Sequence, residues 1–149
     1  MEGLYALVAF TVAWLIAQVS KTMLGLVGGH KAGKVTNLGT AIGYFARSGG
    51  MPSGHTASFT ALCIYLGCEF GFTSGIFALG IATWSIIVYD AIHVRYAVGV
   101  QGEALNGLLK EQGKSSLPIV EGHTLPQVIV GGMIGVVVGL LIFWVTGGF

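Results

Sequence analysis

The stretch Arg47-Ser48-Gly49-Gly50-Met51-Pro52-Ser53-Gly54-His55 concentrates the chemistry of this chain. Gly49, Gly50 and Gly54 let backbone approach a ligand closely, and Pro52 and Ser53 stand where a helix would start. Free N–H groups and the helix dipole can therefore hold an anion there. Phosphate suits that geometry: Arg47 offers a bidentate contact, Ser53 a hydroxyl donor and His55 a proton at the end of the site. The alternative is a Gly/Pro-rich turn with a capping serine. A second histidine opens an apolar stretch in Glu121-Gly122-His123-Thr124-Leu125-Pro126-Gln127, with Pro126 near the first helical turn and Thr124 as a cap. His123 alone reads as an interfacial residue; partnered with His55 it makes an acid and nucleophile pair. His30 and His93 lack such context and read as structural. No cluster has the spacing of a zinc site, so no metal and no other cofactor is expected. Cys63 and Cys68, five apart in one apolar run, face different directions on a helix and read as packing residues.

These residues must be positioned by elements that lie in a membrane. Of 149 residues, 54% are apolar and 9% charged, against roughly 25% charged in a soluble domain. Mean hydropathy is +0.82. Seven Lys and Arg against six Asp and Glu leave a net charge of +1, which removes a basic patch for nucleic acid. Charge-free intervals at 3–20, 48–68, 70–89 and 122–149 mark four spans, because about 20 residues cross the ~30 Å hydrocarbon layer. Allowing for the Pro turn and a tight turn at 71–74, the spans fall at about 3–27, 55–71, 74–95 and 124–146. The uncharged stretch 35–46 is too short to cross and reads as a re-entrant or interfacial helix. Residues 98–121 read as a polar helix followed by a loop. The expected architecture is one all-α integral membrane domain over 1–149.

Four spans put both termini on one side and the loops 21–55 and 90–123 on the other. All seven basic residues and all four histidines fall on that second side, so the positive-inside rule makes it cytoplasmic, as in a multi-pass inner membrane protein. Lys31, Lys34, Lys110 and Lys114 read as snorkelling anchors. Asp90 differs: it ends an apolar helix, cannot snorkel far, and needs a cation such as Arg95 or Lys21 to stay charged. The 25 glycines, spaced as Gly131-Gly132-x-x-Gly135-x-x-x-Gly139 in the last span, point to close helix packing within a bundle or a homo-oligomer.

The Pro-Ser-Gly-His stretch resembles the second signature of the type 2 phosphatidic acid phosphatases, whose site is shared with acid phosphatases and vanadium haloperoxidases. Gln18-Val-Ser-Lys21, Ser48 to His55, Tyr89-Asp-Ala-Ile-His-Val-Arg95, Gln101 with Leu105-Asn106, and Gly122-His-Thr-Leu-Pro-Gln-Val look like the short divergent branch of that superfamily. The resemblance implies that Lys21 and Arg47 bind phosphate oxygens, that Ser53 and Gly54 hydrogen-bond them, and that His55 is the general acid. It implies that His123 attacks phosphorus to give a phosphohistidine without a metal. Gln18, Gln101, Asn106, Gln127 and Arg95 join the substrate-binding set.

Three departures from the broader superfamily bear on mechanism. The first signature joins its Lys and Arg closely, whereas Lys21 and Arg47 are 26 apart. In the third, the arginine is absent, since counting back from His123 reaches Ser116-Leu117, and Gln127 stands where the carboxylate belongs. Gln127 can hold the imidazole N–H but brings no charge. Arg95 and Asp90 are the expected substitutes. The implied activity is hydrolysis of a lipid phosphate monoester or diphosphate: phosphatidylglycerol phosphate, phosphatidate or a prenyl phosphate. A catalytically silent lipid-phosphate binder, or a small oligomeric channel built on the glycines, are the rival readings.

Overall fold

The computed structural model describes residues 2–31, 39, 50–119 and 122–147. Arg47 and the expected re-entrant stretch lie outside the described residues. Apart from turns, the described elements are helical: α1 (Glu2–Lys31), α2 (Gly54–Phe70), α3 (Gly75–Tyr89), α4 (Arg95–Glu111) and α5 (Leu125–Val145). A π-helical turn, Asp90–Val94, joins α3 to α4 without interrupting the rod.

Gly3–Val27, Gly75–Glu111 and Leu125–Val145 are long and apolar enough to cross a membrane. The helix in the place of the expected second span, α2, has 17 residues, or about 25 Å of rise. It is the innermost element, in contact with α1, α3 and α5. The 37-residue run from Gly75 to Glu111 rises about 55 Å, well beyond the ~30 Å core. Its polar end therefore projects past the apolar layer, carrying Glu103, Lys110 and Glu111.

Packing follows the logic of lipid rather than water. Ala6, Ala9, Ala13 and Ala17 form the buried stripe of α1, set against Ala57 and Ala61 of α2. Leu7, Leu15, Val19 and Met23 face outward, as do Val137, Leu141 and Trp144 of α5. Lipid tails solvate large side chains as well as another helix would, so helices associate where small residues let backbones close up. The glycines of α5 take this furthest. A Cβ on Gly131, Gly135 or Gly139 would fall under 3.0 Å from the carbonyl oxygens of Ser53, Ala57 and Ala61 respectively. Both series step by four, so α5 lies on α2 in one register and the stripe is consumed inside the bundle. Phe10 and Phe59 meet edge to face at 5.2 Å between centroids, and Trp84 Nε1 donates to Thr60 Oγ1 at 2.9 Å to tie α3 to α2.

Candidate functional site

The start of α2 is built by Ser53, which is fully buried. Its Oγ accepts from the Thr56 N–H at 3.4 Å and from the Thr56 hydroxyl at 3.0 Å, capping the helix. Its own N–H donates to the Gln127 carbonyl at 3.1 Å. The Pro-Ser-Gly turn is thus bonded to the first turn of α5, just below the point where Gly131 meets the Ser53 carbonyl. One contact sets the relative placement of His55, at the start of α2, and His123, just before α5.

His123 is buried, with 5% of its surface exposed. Its N–H donates to the Ala91 carbonyl at 3.0 Å. Its Nδ1 stands 3.3 Å from Gln127 Oε1, and that oxygen accepts the Thr124 N–H at 3.0 Å. The Thr124 donor fixes which end of the Gln127 amide faces the ring: an acceptor. Nδ1 accordingly carries the proton of the neutral ring. Burial pushes the His123 pKa below its ordinary value of 6.5; the fields of Lys21 and His55 add to this, and hydrogen bonds to Gln127 and the Gly50 backbone oppose it. The lowered pKa favours the neutral imidazole, the form a nucleophile requires.

Cations and a proton donor surround it. Lys21, ten residues before the end of α1, runs against Gly50, whose Cβ position is 3.7 Å from Lys21 Cγ. The π turn places Asp90 and Arg95 side by side, with Arg95 Nε donating to Asp90 Oδ2 at 2.6 Å. Both remain about one-third exposed, so the guanidinium can still reach a ligand. His55 feels the charges of Arg95, Lys21 and Asp90 and itself acts on His123. Residues from the C-terminal part of α1, the start of α2, the π turn and the segment before α5 therefore act on one another electrostatically. A cavity of about 390 Å³ opens behind the His123 segment, lined in part by Gly50, Glu103, Gly122, Thr124 and Gln127. Among the described residues no Lys or Arg lines it.

The remaining sequence-derived residues divide clearly. Gln18 is buried beside Gly54, with Oε1 3.5 Å from that glycine's Cβ position. Gln101 is exposed on α4. Asn106 is committed elsewhere: its amide donates to the Leu117 carbonyl at 2.9 Å and accepts the Leu117 N–H at 2.7 Å. Eleven residues beyond Arg95, or about 16 Å along the helix, it clamps the following loop rather than joining the histidines. His93 stacks on Tyr89 at 4.4 Å, apart from the cluster. Sequence reasoning missed Ala91, Gly122 and Thr56, which act through backbone or through a neighbour. Only Gly122, adjacent to His123, left a signal. No group of three His, Cys, Asp or Glu side chains suited to a metal occurs among the described residues.

The profile of the Divergent PAP2 family matches residues 4–138. The chain belongs to the divergent PAP2 family. An uncharacterized membrane protein of Bacillus subtilis (strain 168), YuiD, is 29% identical over 112 residues, covering 64% of this chain and 71% of its own. No solved structure matches. The divergent PAP2 match takes in both histidine segments, all of α2 to α4 and the glycine stripe of α5 up to Val138.

Proposed function

We propose that this membrane protein is a metal-independent lipid-phosphate phosphatase working through a phosphohistidine. The observation that carries the reading is the convergence of a buried neutral His123, His55, Lys21 and the Asp90–Arg95 pair at one end of the bundle. His123 Nε2 attacks phosphorus while the bond from phosphorus to the lipid oxygen breaks, and protonated His55 gives that oxygen its proton. Neutral His55 then takes a proton from water, the oxygen attacks phosphorus, the N–P bond breaks and phosphate leaves. Lys21, Arg95 and the N–H groups at the start of α2 stabilise charge on the phosphoryl oxygens. Arg47 belongs to the same proposed set, whereas Ser53, expected from the sequence to contact phosphate, is fully buried and spends its hydroxyl on capping α2. The substrate is a lipid phosphate made on the basic, cytoplasmic face, with a glycerophospholipid phosphate favoured over a prenyl phosphate.

Gln127 favours one second reading, a binder without turnover, because its amide orients the ring but cannot neutralise an imidazolium. Phosphate release from vesicles of phosphatidylglycerol phosphate, phosphatidate and a prenyl phosphate, in the presence of chelator, separates the two. The native protein is expected to release phosphate and be inhibited by vanadate, with His123→Ala inactive. Binding that survives His123→Ala, with release by neither protein, would establish the binder instead.

A further inference from the structure

The α3–α4 rod has one irregularity, and two independent parts of the candidate site depend on it. In the turn Asp90–Val94 the Arg95 N–H bonds to the Asp90 carbonyl, one residue further back than an α-helix allows. The Ala91 carbonyl, which an α-helix would give to Arg95, instead accepts the N–H of His123 at 3.0 Å. Gly122 lies against the same turn: a Cβ there would run into the backbone of Tyr96 and, at 2.8 Å, the Arg95 carbonyl carbon. The obstruction is main chain, so no side-chain adjustment relieves it. Across the turn Asp90 and Arg95, five residues apart, pair through carboxylate and guanidinium.

We propose that the π turn, with Gly122 seated on it, is the positioning device that registers the His123 imidazole against a phosphate held by Arg95. The inference rests on the phosphatase reading and adds to it a residue, Gly122, that touches no substrate. The cation and the nucleophile belong to different helices; the turn fixes their separation through one backbone hydrogen bond and one van der Waals seat. Displacements near 1 Å at a reacting atom cost about 10²-fold in rate. Binding of the anion by Lys21 and Arg95 needs no such registration.

The test compares Gly122→Ala with the native protein and with Gly107→Ala, whose Cβ meets nothing within 4 Å. In vesicles of phosphatidylglycerol phosphate, Gly122→Ala is expected to lower kcat about 10²-fold while KM and the affinity for inorganic phosphate stay within threefold, and Gly107→Ala to leave all three unchanged. A second readout needs no turnover: carbethoxylation of His123 relative to exposed His55, followed by mass spectrometry. The buried native ring should react slowly, and Gly122→Ala should raise the His123 to His55 ratio at least fivefold. An unchanged ratio overturns the positioning role even if the native protein proves inactive. So does a Gly122→Ala protein with native kcat, or one in which KM and the affinity for inorganic phosphate weaken as far as kcat falls. Absence of phosphate release by the native protein, with the ratio raised as expected, overturns the phosphatase reading and leaves the positioning role of Gly122 supported.

Discussion

In the proposed reaction each histidine has a separable task, and pH distinguishes them. Because burial holds the His123 pKa below 6.5, its neutral fraction persists as pH falls through the ordinary histidine range. The acid limb of kcat/KM is therefore expected below pH 6.5, and a pH–rate profile checks it. Gln127→Glu puts a carboxylate 3.3 Å from Nδ1 in place of the amide oxygen; it stabilises the imidazolium, raises the His123 pKa and moves that limb to higher pH. An unmoved limb would mean that another group titrates. For stability the sign is the same: a folded pKa below the unfolded one makes the native state the weaker proton binder, so stability falls as pH drops through 6.5 toward the folded value. His55→Ala, removing the proton donor, is expected to lower kcat about 10²- to 10⁴-fold, with most of the loss recovered on a substrate whose leaving group needs no proton.

At the scale of elements, the register of α5 on α2 holds the site together. Gly135→Ala places a methyl group against the Ala57 carbonyl and is expected to cost about 1–3 kcal/mol through overpacking, read as a lower melting temperature in detergent. Gly107→Ala, facing open space, should be neutral or stabilising by up to about 1 kcal/mol. Asn106→Ala releases the loop from Leu117, so trypsin should cut after Lys114 faster than in the native protein, at unchanged kcat. The elements that the sequence showed clearly were those marked by local chemistry: the turn ending at Ser53, the cap at Thr124 and the polar departure of the third rod. Three features could not be read there. The glycine spacing at 131–139 says that a backbone comes close but not whose backbone it is. The π turn lies in Asp-Ala-Ile-His-Val, which would build a regular α-helix equally well. Asn106 offered a polar side chain whose partner, Leu117, is a backbone group that no sequence pattern announces.

For the whole molecule, composition alone separated membrane from water, and the alternation of helix direction gathered the functional ends. The C-terminal part of α1, the start of α2, the end of α3 and the start of α5 share one end, where Lys21, His55, Asp90, Arg95 and His123 act on one another. That convergence is the global counterpart of a sequence in which the histidines and basic residues all fall in alternate loops. The proposed cytoplasmic orientation is tested by a cysteine at Lys114, in a background lacking Cys63 and Cys68, which should be labelled only from the inner face of sealed vesicles. The central claim, covalent transfer to His123, is tested most directly by rapid quenching into alkaline detergent after mixing with a lipid phosphate labelled in its terminal phosphoryl group. The expected result is rapid labelling of the protein at His123, stable to base, labile to acid and absent from His123→Ala. Phosphate release with no protein-bound label under any quench, or label that persists in His123→Ala, would contradict it.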